Sequence, residues 1–549
     1  MIRSKSRWAH SSWAWTHDTR SPLHEYRASV TCGFILSWGR KQKLREKKVL
    51  VVDNFTYRRE MRKAVVVAAV TTAAMAAAVA VLWSRWKQES ERQWRKTRRI
   101  LRKFARDCAT PVSKLWLVAD ALVSDMNEAL TSQETTTLNM PISYVASLPS
   151  GDEEGLYYGL NLRGSNFLIL RARLRGKNES ISELHREEVS IPSNVMGGTS
   201  QELFDYIALE LAKFISEHEV TTDDTPDRQK ALGFIVSYPV DQAAASSGAA
   251  IKWRSFSVTD TAGKALASNF NRALEKHGVN LRVLQLVEDA IGHLAGGRYY
   301  NRDTVAAITL GMATTAAYVE PTQAVPEYQS SSNKSSEMVI SMDWGNFNSC
   351  HLPITEFDTF LDAESSNPGS RIFEKLTSGM YLGEIVRRVL LKMAQETALF
   401  GEDVPPKLRT PYLLRSPDMA AMHQDTSEDH EVVHEKLMEI FRITNSTPLA
   451  REVVAEVCDI VAERGARLAG AGIVGITKKL GRIENKRSAI TVEGGLYEHY
   501  RVFRNYMHSS VWEMLGNELS DNVVIEHSHG GSGAGAIFLA ASQTAEPNS

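Results

Sequence analysis

Two acidic side chains in a row, Glu288 and Asp289, precede Ala290-Ile291-Gly292, and a carboxylate so placed can take a proton from a hydroxyl. Several segments pair small or hydroxyl side chains with glycine: Arg163-Gly164-Ser165-Asn166, Gly311-Met312-Ala313-Thr314-Thr315, Glu493-Gly494-Gly495 and Gly530-Gly531-Ser532-Gly533-Ala534-Gly535. Glycine lets a backbone approach a phosphate or a nucleotide ring closely. Taken singly, each has an ordinary reading: an Asp after a strand is usually a helix cap, and 531–535 reads equally as a loop before a last helix. Cys32, Cys108, Cys350 and Cys458 lie far apart with no CxxC or Cys/His spacing, so neither a disulfide frame nor a metal site is expected.

These segments need strands and helices to hold them. Residues 156–162, 167–174 and 181–191 read as consecutive strands joined by Gly- or Asn-containing turns, followed by helical spacing over 200–217 and a strand at 232–236. A second set follows Asp289, with strands at 305–310, 316–320 and 338–342 and helices around 385–398 and 453–468. The fold class is α/β, with two strand-rich units of similar order. At 549 residues the chain exceeds the size at which a single core stops growing, so two lobes are expected. With 64 basic and 65 acidic residues, a general nucleic-acid partner is excluded.

In the same chain order stand Gly292-His293-Leu294-Ala295-Gly296-Gly297-Arg298-Tyr299-Tyr300, Gly345-Asn346-Phe347, Asn367-Pro368-Gly369, Ile372-Phe373-Glu374-Lys375, Gly379-Met380-Tyr381-Leu382-Gly383 and Gly494-Gly495-Leu496-Tyr497. From Met61 to about residue 540 the chain resembles plant membrane-anchored hexokinases and their hexokinase-like relatives. The resemblance implies a duplicated actin-like (ribonuclease H-like) sugar kinase fold, with ATP and sugar meeting in a cleft between two lobes. It implies a small lobe over 151–288, a large lobe over 289–534 entered through helices at 88–150, and a segment at 535–549 returning to the small lobe.

The resemblance also assigns roles. Asp289 stands where the family has its catalytic base. Sugar contacts fall on Ser237, Glu288, Thr315, Asp343 and Ser370; nucleotide and phosphate contacts fall on Asn161, Arg163, Gly164, Ser165, Asn166, Gly311, Thr314, Gly494, Gly495, Gly531, Ser532 and Gly533. ATP with Mg²⁺ is the implied cofactor, and a hexose such as glucose the implied ligand. Many of these positions depart from the family pattern. The first phosphate loop, Asp-Leu-Gly-Gly-Thr-Asn-Phe-Arg in the family, here has Asn161 for its carboxylate, Arg163 for its first paired Gly and Leu168 for its Arg. Gly-Thr-Gly-Thr-Asn is replaced by Gly311-Met312-Ala313-Thr314-Thr315, Asn-Asp by Glu288-Asp289, and Trp-Thr-Lys-Gly-Phe by the shorter Trp253-Arg254-Ser255-Phe256. Ser237-Tyr238-Pro239 keeps Ser-Phe-Pro, while Asp343 and Ser370 each replace a Glu. An unmade buried hydrogen bond costs about 1–3 kcal/mol, so several together cost ~5 kcal/mol or more, about a thousandfold in affinity. The adenosine-side segments around Gly494 and Gly531 are nearly intact.

Upstream, residues 64–83 form an uncharged run of twenty residues between Arg62-Lys63 and Arg85, long enough as a helix to span a bilayer core of roughly 30 Å. The basic run 92–106 would suit an anionic cytosolic surface. Residues 61–87 therefore read as a membrane anchor with the body facing the cytosol, and the resemblance points to the mitochondrial outer membrane. Residues 1–60 match no motif and read as an upstream extension, disordered or an artefact of the reading frame, rather than a targeting leader.

Three functions are consistent with these residues. One is a catalytically impaired hexokinase-like regulator or sugar-signalling protein with protein partners; the second is an active ATP:hexose 6-phosphotransferase in glycolysis; the third is a kinase for another small molecule.

Overall fold

The computed structural model describes residues 43–131, 136–218 apart from 139, 141, 144, 146, 164 and 197, then 230–237, 260–325 apart from 284–285, 337–528 and 533–544. Two units are distinct, residues 1–87 and 88–549. Helix α1, Lys43–Cys108, begins well before the anchor expected at 61–87 and runs on past it. Its apolar side chains Val66, Val70, Met75, Val79, Leu82 and Trp83 are exposed. Ala69–Cys108 holds a window of mean hydropathy 1.2 with none of it buried, so by length and composition it can cross a membrane. Farther along, Leu101, Phe104 and Cys108 are buried in the core of the second unit.

The small-lobe sheet comprises β2 (Glu154–Arg163), β3 (Asn166–Arg175), β4 (Ser182–Ser190), β5 (Lys230–Ser237), β6 (Leu281–Arg282) and β7 (Leu286–Glu288). The large-lobe sheet comprises β1 (Ile142–Ser143), β8 (Thr304–Leu310), β9 (Thr314–Pro321), β10 (Glu337–Met342), β11 (Ser488–Glu493) and β12 (Val523–His527). In the small lobe, β2, β3 and β4 form an antiparallel meander, β5 joins β2 in parallel, and β6 and β7 both pair with β5. The large lobe repeats the plan: β8, β9 and β10 meander, β11 joins β8 in parallel, and β12 joins β11. The expected duplication is therefore present as topology, and it gives each lobe one tight turn between its first two strands.

Side-chain chemistry explains where each strand lies. β3, Asn-Phe-Leu-Ile-Leu-Arg-Ala-Arg-Leu-Arg, is buried over most of its length, whereas β4, Ser-Glu-Leu-His-Arg-Glu-Glu-Val-Ser, is mostly exposed and closes the sheet with a charged edge. Helices α2 (Ser200–His218) and α3 (Asp260–Lys276) pack on one another at the small lobe, with Phe204 edge-on to Phe270. In the large lobe, α4 (Pro448–Lys479) starts with Thr447 accepting the Ala450 amide at 3.2 Å and Pro448 in the first turn, and most of its residues are buried.

Helices α5 (Asp289–Tyr300) and α6 (Ala534–Thr544) hold the lobes in contact. α6 lies on β2, β3 and β5, while α5 lies on β8 and β9. Where they cross, a Cβ at Gly535 would stand 2.2 Å from the Gly292 carbonyl oxygen, so backbone meets backbone and no side chain can yield.

Candidate active site

The parallel strands β2, β5 and β7 end side by side, and α/β sheets hold ligands beyond such carboxyl ends. β2, β5 and β7 are in register so that Arg163 is opposite Ser237, and Val236 is opposite Glu288. Asp289 then opens α5, with Glu288 as its N-cap residue in extended backbone (φ −80°, ψ 160°) and no side-chain cap bond. Four of the expected residues, Arg163, Ser237, Glu288 and Asp289, thus converge through strand register. Gly164, Gly531, Ser532, Tyr238, Pro239 and 253–256 lie outside the described residues.

Glu288 is surrounded by acids. Ser341 Oγ donates to its Oε2 at 2.7 Å. Burial pushes its carboxyl up to about 7; Asp343 and Asp289 push the same way, while the Ser341 hydrogen bond and Arg371 oppose them. Below that pH Glu288 carries an O–H and can donate a hydrogen bond. Asp343, just past β10, is also raised by burial, against the pull of Arg371.

Arg371 is a residue sequence reasoning missed. It holds a left-handed backbone (φ 54°) at the head of α7 (Ile372–Thr377). Its Nη1 donates to Asp343 Oδ2 at 2.8 Å, and its Nε and Nη2 form a fork on the buried Glu374 at 2.8 and 2.7 Å. Asn346 Nδ2 also donates to Asp343 Oδ2, at 2.9 Å. The signal is in the chain: Arg371 directly follows Ser370, in the block that opens with Asn367-Pro368-Gly369. Ser370 itself is exposed, its carbonyl accepting from Lys375 Nζ at 2.9 Å.

The second turn is built from inside. Thr314 is fully buried, its hydroxyl accepting from Trp344 Nε1 at 2.7 Å and donating to the Thr309 carbonyl at 2.9 Å. Its amide donates to Glu374 Oε2 at 3.2 Å, so the Thr314 side chain is committed to the scaffold of the loop. Thr315 pairs with Thr309 across β8 and β9. The carbonyls of Gly311 and Met312 accept from the Gly379 and Met380 amides at 2.8 and 3.2 Å. Gly494 (φ 111°) presses on this turn: a Cβ there would lie 2.5 Å from the Leu310 carbonyl. A Cβ at Gly495 would meet no described atom within 4 Å.

The first turn is different. Asn161 is fully buried in β2 and offers no anionic oxygen. Asn166 Nδ2 is hydrogen-bonded to Glu188 across the charged edge, and the Ser165 carbonyl accepts from the Ile191 amide at 2.9 Å. The Arg163 guanidinium lies against Gly533, its Nη2 3.7 Å from where a Cβ would stand. Burial lowers the affinity of this guanidinium for its proton; the nearby charge of Asp289 most opposes that, followed by Glu188 and, more weakly, Glu493. Among the described residues no group of three His, Cys, Asp or Glu could hold a metal ion. Neither Asn161 nor Arg163 at the first turn offers a carboxylate that could anchor a magnesium ion.

Two models of the hexokinase family match residues 100–299 and 305–542. Hexokinase-1 of Spinacia oleracea is 50% identical over 491 residues, covering 88% of this chain and 98% of that protein. The chain belongs to the hexokinase family. Hexokinase-1 of Arabidopsis thaliana is likewise 50% identical, over 490 residues, 88% of this chain and 99% of that protein. Among solved structures, a hexokinase from Schistosoma mansoni complexed with glucose superposes with a TM-score of 0.67 at 26% identity, over 81% of this chain and 99% of that one. The hexokinase fold and its two lobes are therefore common ground.

Proposed function

We propose that this hexokinase-family protein keeps a ligand-binding cleft but transfers phosphate weakly or not at all, and acts as a sugar-responsive regulator. The observation that carries this is Arg163, a long side chain at the start of the first turn, whose guanidinium lies beside Gly533 and within the field of Asp289. Transfer needs backbone amides aimed at the moving phosphoryl group, and a long side chain in that turn keeps the group away from them. The intact packing of Gly494 on the second turn supports retained nucleotide binding, with ATP as the ligand and hexose, glucose foremost, at the Glu288 end. The exposed apolar stretch of α1 supports anchoring in a membrane, with the mitochondrial outer face as the proposed location; a fluorescent fusion of residues 61–90 that stays diffuse in the cytosol would sink it.

A second reading is an active hexokinase, favoured by Asp289 at the head of α5 and by 50% identity to proteins named hexokinase. Hexose 6-phosphate formation by the full chain decides between them. No turnover above that of Asp289→Ala supports the regulator; turnover that Asp289→Ala abolishes makes the protein a divergent enzyme.

A further inference from the structure

His293 lies one helical turn after Asp289 on α5, so the two share a face. It is buried, and so is its partner: His293 Nε2 is 2.8 Å from Glu493 Oε2, with the side chains 5% and 6% exposed. The other ring nitrogen, Nδ1, is 3.3 Å from Thr309 Oγ1. Glu493 is the last residue of β11 and directly precedes Gly494; Thr309 is two residues before Gly311. One imidazole therefore ties together the ends of the two strands whose exits form the adenosine loop and the second phosphate turn. Both are reached from the helix that carries the base.

We propose that His293, as a buried imidazolium, is a positioning residue for nucleotide: it clamps Glu493 and Thr309 so that the Gly494 and Gly311 turns stay packed, and nucleotide affinity follows its protonation. This rests on the nucleotide-binding reading of the cleft. The charges around it are acidic: Asp289 on its own helix, Glu493 on β11 and Glu498 just beyond Gly494. His527, with the Ser528 hydroxyl, faces Glu493 from β12, and Arg163 reaches its field from the first turn. α6, packed along α5, brings no charged residue. Burial works against the imidazolium, yet the hydrogen bond and charge of Glu493, then Asp289 and Glu498, outweigh it and raise His293 above its ordinary value. A retained proton beside the Gly494 and Gly311 turns favours an anion there; loss of the proton leaves Glu493 as a buried, repelling charge.

The test is calorimetric titration of the full chain in detergent with MgATP between pH 7 and 9, where the nucleotide phosphates themselves stay ionised, for wild type, His293→Asn and Glu493→Gln. Wild-type affinity falls as pH rises; each variant binds about tenfold more weakly at pH 7, the scale of one lost interaction, and loses the pH slope, while glucose affinity changes by less than about twofold. Variants that melt earlier yet keep the wild-type slope would reduce His293 to a structural role and overturn the proposal. A flat wild-type profile overturns it without any variant. Wild type that binds no MgATP at pH 7 overturns the nucleotide reading along with it.

Discussion

At Arg163 a single side chain separates two accounts of the protein. Replacing it with glycine frees the first turn, so Arg163→Gly is expected to raise hexose phosphorylation by roughly a hundredfold over the wild-type background, the scale of restoring one misplaced group. Coupled-assay turnover checks this, and an unchanged rate would place the defect elsewhere. Glu288 makes a prediction of a different kind. Its folded carboxyl is raised to about 7, so it is protonated below that pH and can donate to a sugar hydroxyl; above it, the ionised group only accepts. Glucose affinity is expected to fall as pH rises from 6 to 8, and Glu288→Gln to flatten that profile. The linkage has the same sign for stability. A folded value above the ordinary carboxylate's makes the contribution complete below about pH 4.3 and lost as pH rises through about 7.

The elements were legible to different depths. Strands at 156–162 and 167–174 and the helix from 200 were visible because their apolar residues repeat at strand or helix spacing, and the observed β2, β3 and α2 contain them. Arg371 and His293 were not, because neither periodicity nor composition reports who faces whom across a fold. Arg371 meets Asp343 from 28 residues away, and His293 meets Glu493 only once α5 and β11 pack. Helical spacing did place His293 on the face of Asp289, a hint that a sequence reading can use. The short helix α7 depends on Arg371 as well: Arg371→Ala would leave Glu374 buried without its opposite charge, holding only the Thr314 amide, with an expected loss of about 3 kcal/mol or more of stability. Chemical denaturation measures it, and a change below about 1 kcal/mol would show the fork to be dispensable.

For the molecule as a whole, the crossing of α5 and α6 is a close backbone contact between elements of the two lobes. Gly535→Val sets a branched side chain against the Gly292 backbone, where nothing flexible can move aside. Overpacking of this kind costs about 1–3 kcal/mol and is expected to separate the lobes' unfolding into two calorimetric transitions, where a single one is expected of the wild type. A single transition at an unchanged temperature would refute that.

α6 has one more consequence, and it concerns time. The helix comes from the far end of the chain, yet it covers a face of β2, β3 and β5, strands made several hundred residues earlier; a Cβ at Gly233 would lie 1.9 Å from the Ala536 carbonyl oxygen. During synthesis, at about 5–20 residues per second, those strands wait with an apolar face uncovered for tens of seconds until 534–544 leave the ribosome. The small lobe is thus completed only once 534–544 have emerged, and a nascent chain stalled before residue 534 should be a chaperone client, whereas one stalled some 40 residues beyond residue 544 on an appended linker should not.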